Sequence, residues 1–115
     1  MNRFALIGML AAVMLVACGC AVDKMRTEAI SEFQVGHVKH SEELFQQVLG
    51  RRPWDAQSLY YMGRICHSRG EYEMAIAYYQ QALDSDPSLT DAHKWLEKAV
   101  ERAGPVGEKL LIIKP

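Results

Sequence analysis

Excess charge of either sign is missing from this chain. Thirteen Lys and Arg stand against fourteen Asp and Glu in 115 residues, a formal net charge of −1. That removes the basic surface a nucleic-acid partner would require. Catalytic signatures are missing too. There is no G-x-S-x-G elbow, no P-loop, no H-E-x-x-H helix and no paired C-x-x-C. Ser58 and Ser68 have no apparent base and acid partners, and His67 and His93 are isolated. His37 and His40 are spaced to share a helix face, but no third metal ligand adjoins them. Enzymatic activity, a metal, a cofactor and a small-molecule substrate are therefore not expected. Cysteine is scarce, with three in the chain, and C-G-C at positions 18–20 has neither the redox nor the haem spacing. Cys66 falls in an apolar helical stripe and reads as a small buried hydrophobe rather than a disulfide partner for Cys20.

Long apolar runs are confined to the N-terminus. Arg3 and the free amine form a short basic region, and Phe4–Val16 is an unbroken run of apolar residues and glycine. This is the layout of a signal peptide, and the run is shorter than the roughly 20 residues that span a bilayer as a helix. If Cys18, Gly19 and Cys20 are counted in, the run reaches Val22 and an uncleaved signal anchor becomes an alternative. Ala17 and Gly19 also fit ordinary cleavage after Gly19. Leu15-Val16-Ala17-Cys18 resembles the bacterial lipobox, in which the cysteine sulfur receives a diacylglyceryl group. The resemblance implies that residues 1–17 are removed and that Cys18 is lipidated, its new amine carrying a further acyl chain such as palmitate. Several chains together make a stable anchor where one is marginal. Cys20 would then lie in the flexible start of a mature chain, residues 18–115, held outside the cytoplasm.

The remainder repeats itself. FQQVLGRRP, Phe45–Pro53, returns 34 positions later as YQQALDSDP, Tyr79–Pro87. Gly36 pairs with Gly70, Val38 with Tyr72, and Ser41 with Ala75 at the same interval. A fixed period of this size marks a stacked repeat whose units cannot bury their apolar faces alone. Tyr72, Ala75, Ile76, Tyr79, Ala82 and Leu83 trace one face of an α-helix, and Val38, Ser41, Phe45, Val48 and Leu49 trace the same face one unit earlier. Leu59, Met62, Gly63, Ile65 and Cys66 mark a helix that Gly70 ends. Pro87 ends the next one. Gly63 is expected where the two helices of its unit approach closely, with Ala75 and Ala82 opposite.

Leu59-x-x-Met62-Gly63-x-x-Cys66, then Ala75-x-x-x-Tyr79, then Pro87, resembles the tetratricopeptide repeat (TPR), whose pattern runs W-x-x-L-G-x-x-Y, A-x-x-x-F, P. Cys66 departs from it, being smaller than the usual tyrosine. The resemblance implies an all-α short solenoid of about five antiparallel helices. Residues 22–55 form a degenerate first unit, in which Glu28 and Glu32 take expected apolar slots. Residues 56–89 form the clearest unit, and 90–103 a terminating cap. Residues 104–115, with Pro105, Gly107 and the aliphatic run Leu110–Ile113, read as a non-helical tail, folded back on the repeats or extended toward a partner.

In this family the first helix of each unit lines a concave groove. That places Gln57, Tyr60, Arg64 and His67 in the groove, with Asp91, Lys94, Lys98 and Glu101 from the cap and Ile30 and Phe33 from the first unit. The partner-binding set expected is Tyr60 as aromatic anchor with Arg64, His67, Lys94 and Lys98. Some members clamp a peptide's terminal carboxylate with such cations, although the asparagines that complete that clamp are missing here. The functional expectation is a lipid-anchored adaptor that binds a protein or peptide in a bacterial envelope, outer membrane and periplasm-facing, of the kind that assists pilus or secretion-system assembly. Gly19 after the lipidated cysteine does not suggest an inner-membrane retention signal. The alternatives are a self-associating structural subunit and an accessory subunit of an envelope enzyme.

Overall fold

The structure, a computed structural model, describes the backbone of residues 3–112, with side chains throughout that span except at positions 4, 6, 11–18 and 112. Among the described residues six helices follow one another: α1 Arg3–Gln34, α2 Val38–Arg51, α3 Ala56–Ser68, α4 Tyr72–Ser85, α5 Thr90–Ala103 and α6 Pro105–Ile112. There is no strand among the described residues.

The 34-residue period is visible in the backbone itself. Gly36, Gly70 and Gly104 all have positive φ, at 91°, 78° and 67°. Each turns the first helix of a pair into the second, where a side chain would be strained. The turns share hydrogen bonds as well: His37 N–H donates to Glu32 C=O at 2.9 Å, and Glu71 N–H to Cys66 C=O at 3.0 Å. Between pairs, Arg52 (φ −132°, ψ 83°) and Asp86 (φ −138°, ψ 93°) adopt nearly the same extended conformation. Each precedes a proline, whose ring excludes the helical region for its predecessor. Asp55 then caps α3, accepting from Ser58 N–H at 3.1 Å and from the Ser58 hydroxyl at 2.6 Å.

The core forms two connected clusters. One gathers Leu59, Cys66, Ala75, Ile76, Tyr79, Ala82 and Leu83 with Ala92 and Ala99 of α5. The other gathers Ala29, Leu44, Phe45, Met62 and Ile65. Leu49, Tyr61 and Tyr78 pack against both and join them. Gly63 is indeed at the closest approach within its unit, but what faces it is the Tyr79 ring rather than Ala75 or Ala82. A Cβ on Gly63 would stand 2.5 Å from Tyr79 Cε1. Cys66 is buried and free, as its apolar surroundings suggested, and burial pushes its thiol pKa up. Cys20 is also free and sits exposed on α1, in helix rather than in the flexible start of a mature chain. The side chain of Cys18 lies outside the described ones.

Residues 105–112 correct the expectation of a non-helical tail. Pro105 stands at the first position of α6, where its missing N–H and fixed φ favour a helix. Val106 comes 34 residues after Tyr72, so α6 begins where the second helix of a third pair should. Gly107 lets it press onto α5, since a Cβ there would lie 2.8 Å from the Val100 carbonyl oxygen. Leu110 packs against the main core. The cap at 90–103 is therefore the first half of a short third pair. Positions 113–115 lie outside the described residues.

Candidate functional site

Helices α1, α3 and α5 are the first members of their pairs, and they meet along one face. Their residues at 34-residue intervals form columns: Ile30, Arg64, Lys98; Phe33, His67, Glu101; Thr27, Tyr61, Trp95. Trp95 is the centre of the face. The Arg64 guanidinium carbon lies 3.6 Å from its ring centroid and Lys98 Nζ lies 4.4 Å from it, both within cation–π range. Arg64 also lies 5.6 Å from the Phe33 centroid, and it donates to the Tyr60 hydroxyl at 3.0 Å. Tyr61 continues the wall, stacked on Phe45 with centroids 5.3 Å apart and edge-on to Phe33 at 5.3 Å. Burial raises the Tyr61 pKa, with smaller effects from Tyr60, Arg64 and Asp91.

His67 meets Trp95 edge-to-face at 5.1 Å and Tyr72 at the same distance. Its Nδ1 is buried and has no hydrogen-bond partner among the described residues. Burial first, and then the cations Arg64, Arg102 and Lys98, hold its pKa below the usual imidazole value. It is therefore a neutral ring at pH 7, and it serves the face as packing surface rather than charge.

Of the five residues expected to bind a partner, Arg64, His67 and Lys98 come together around Trp95, and Tyr60 reaches the site through Arg64. Lys94 is exposed one turn before Lys98 and makes no ring or ion-pair contact among the described residues. Tyr60 is only 7% exposed and belongs to the core. It orients Arg64 from below and is no free aromatic anchor, so its removal will cost stability as well as binding. Glu101 lines a separate cleft of about 370 Å³ with His93, Leu96, Glu97, Val100 and Leu111, on the α6 side of α5. Another cleft, of about 450 Å³, lies between residues 70–74 and Arg102–Ala103. Trp95 and Tyr61 escaped the sequence reading, although their mutual spacing of 34 was the signal that could have found them.

Chemically, the face offers flat aromatic surface with two cations that pair with no carboxylate among the described residues. No group of three or more His, Cys, Asp and Glu that could hold a metal occurs among the described residues. Nor is any helix there long and apolar enough to cross a membrane.

Residues 36–88 match the family described as Tetratricopeptide repeat. They span α2, α3, α4 and the turns that repeat at 34 residues, so the TPR reading holds for the stretch in which register and geometry agree best. This repeat generally mediates protein–protein interaction and is typically non-catalytic. No curated protein matches the chain.

Proposed function

We propose that the protein is a lipid-anchored TPR adaptor of a bacterial envelope, tethered through Cys18 and binding a protein or peptide segment on the α1–α3–α5 face. The observation that carries this reading is the Arg64–Trp95–Lys98 stack. Tryptophan and arginine dominate binding energy where they are pre-packed and can be desolvated by a partner, and the unpaired cations favour an acidic segment or a terminal carboxylate. Lipobox-like residues 15–18 supply the anchor, and Gly19 after them favours the outer membrane, facing the periplasm. Assistance in assembling an envelope complex such as a pilus or secretion system is the role that fits a small tethered adaptor.

Pull-down from detergent-solubilised membranes supplies the partner, which is then titrated against variants. Trp95→Ala and Arg64→Ala weaken binding at least tenfold, and the Lys94→Glu, Lys98→Glu double variant weakens it more at low salt than at high salt. Unchanged affinity in all three variants overturns the reading.

A second reading, self-association, is favoured by the apolar part of the α5–α6 cleft, where Leu96, Val100 and the exposed Leu111 sit together. Light scattering separates the two. A monomer that Leu111→Glu leaves unchanged supports the adaptor, and an oligomer that this change dissociates supports the structural subunit.

A further inference from the structure

The helices alternate in direction, so the ends of the solenoid's long edges are unlike. The α2–α3 turn (Arg52–Asp55) and the α4–α5 turn (Asp86–Leu89) lie on the edge from which the first half of α1 extends. The Gly36, Gly70 and Gly104 turns lie on the other. The α1 extension gives the molecule its 67 Å long dimension against 35 and 20 Å in the other two. The edge with the α2–α3 turn is tied directly to α1 at the position next to Cys18. The Arg52 guanidinium donates to the Gly19 carbonyl oxygen at 3.1 Å and pairs with Asp23 at 2.7 Å.

Trp54 stands in that turn with 78% of its surface exposed. Its backbone is held, because the Ser85 hydroxyl donates to its carbonyl oxygen and Asp55 beside it caps α3. A whole indole is thus displayed in water from a fixed turn, in contrast to Trp95, which is half-buried and has Arg64 and Lys98 against its ring. Charges around it are unevenly used. Asp55 is bound to Arg26 at 2.5 Å, Asp23 to Arg52 and Arg26, and Asp86 to Ser88. Arg51 and Lys24 are exposed and have no ion-pair partner among the described residues.

We infer that this edge lies on the membrane, with the Trp54 indole in the phospholipid headgroup layer and Arg51 and Lys24 near lipid phosphates. Tryptophan favours that depth because its ring is apolar and its N–H is polar, and single cations add modest attraction to anionic lipid. The inference rests on the Cys18 anchor of the proposed function, since only an anchor beside Gly19 turns this edge toward a bilayer. Its consequence is orientation. The solenoid stands on its α2–α3 edge, and the Trp95 face is presented sideways, open to a partner.

The test uses the full chain carrying Trp95→Phe, so that Trp54 is the sole tryptophan, purified from membranes and reconstituted in phosphatidylethanolamine–phosphatidylglycerol vesicles. Trp54 emission shifts to shorter wavelength than in water, is quenched by lipids brominated near the top of their acyl chains, and resists aqueous iodide. A vesicle-bound, acylated protein whose Trp54 is open to iodide and blind to brominated lipid overturns the placement while the anchor stands. A chain that lacks acyl groups and fails to float with the vesicles overturns the anchor, and the placement with it.

Discussion

The units 22–55 and 56–89 share one register and fill it differently. In the second unit the small residue of the first helix is Gly63, and the ring packed on it is Tyr79. In the first unit these slots hold Ala29 and Phe45, both fully buried in one cluster. Where the second unit has Ala75, the first has buried Ser41, whose hydroxyl donates to the Ala29 carbonyl oxygen at 2.9 Å. The first unit is also tied at its edge by ion pairs, Arg26 with Asp55 and Arg52 with Asp23, the latter holding the Asp23 carboxyl below the usual range. The two units are clasped by Arg69 of the α3–α4 turn, which grips Glu42 of α2 with both terminal guanidinium nitrogens and lowers its pKa. The period thus specifies volume at each slot and leaves the chemistry open, and the buried Ser41 hydroxyl is accommodated because it finds a partner.

The harshest break of this comparison is Gly63→Leu. The Tyr79 ring occupies the space the new side chain needs, and overpacking of this kind costs about 1–3 kcal/mol or more. A melting temperature unchanged from the parent would mean that the two helices do not meet there. A smaller loss, about 1 kcal/mol, is expected for Ser41→Ala, which gives the first unit the residue its counterpart already has. The cost is small because the Ala29 carbonyl keeps its helical hydrogen bond; denaturant titration measures it.

Acid should separate the units further. His67 has its pKa lowered, mainly by burial, so the unfolded chain binds the proton first as pH falls. Stability therefore rises with pH between the lowered folded value and the ordinary one near 6.5, and the contribution is lost below that window. His67→Phe should flatten the stability profile there and leave the carboxylate-linked loss at lower pH, from Asp23 and Glu42, in place. An unchanged profile would mean that the imidazole is not desolvated.

The smallest expected effect is the sharpest. The Tyr79 hydroxyl is buried without a hydrogen-bond partner among the described residues, and its pKa is driven strongly upward by burial. Tyr79→Phe copies Phe45 of the first unit and should leave stability unchanged or slightly raised, because a desolvated hydroxyl is removed at almost constant volume. A clear loss would reveal a partner for that hydroxyl.

The parts of this arrangement legible in sequence are those written twice. Gly36 and Gly70, Pro53 and Pro87, Phe45 and Tyr79 announce their turns and packing through spacing alone. The third pair was hidden because Pro105 and Gly107 read as breakers. At the first position of a helix proline is favourable, and Gly107 is required by the contact with Val100. Tyr60 read as an exposed anchor because its slot belongs to the groove. Its neighbours Tyr61 and Tyr79 lie 5.1 and 6.0 Å away, centroid to centroid, and cover it. Spacing gives a residue's direction, and the bulk of its neighbours decides its exposure. For the same reason Trp95 was overlooked among charged residues on a helix that otherwise looked solvated.

Photo-crosslinking in intact cells tests the account most directly. Benzoylphenylalanine replaces Lys98 on the Trp95 face, Glu73 on α4, or Leu111 on α6, each in the otherwise native chain. A discrete adduct is expected from position 98 that disappears when Arg64→Ala is added, and none from position 73. An adduct from position 73 or 111 with none from position 98 would contradict it, and would move the binding surface off the α1–α3–α5 face.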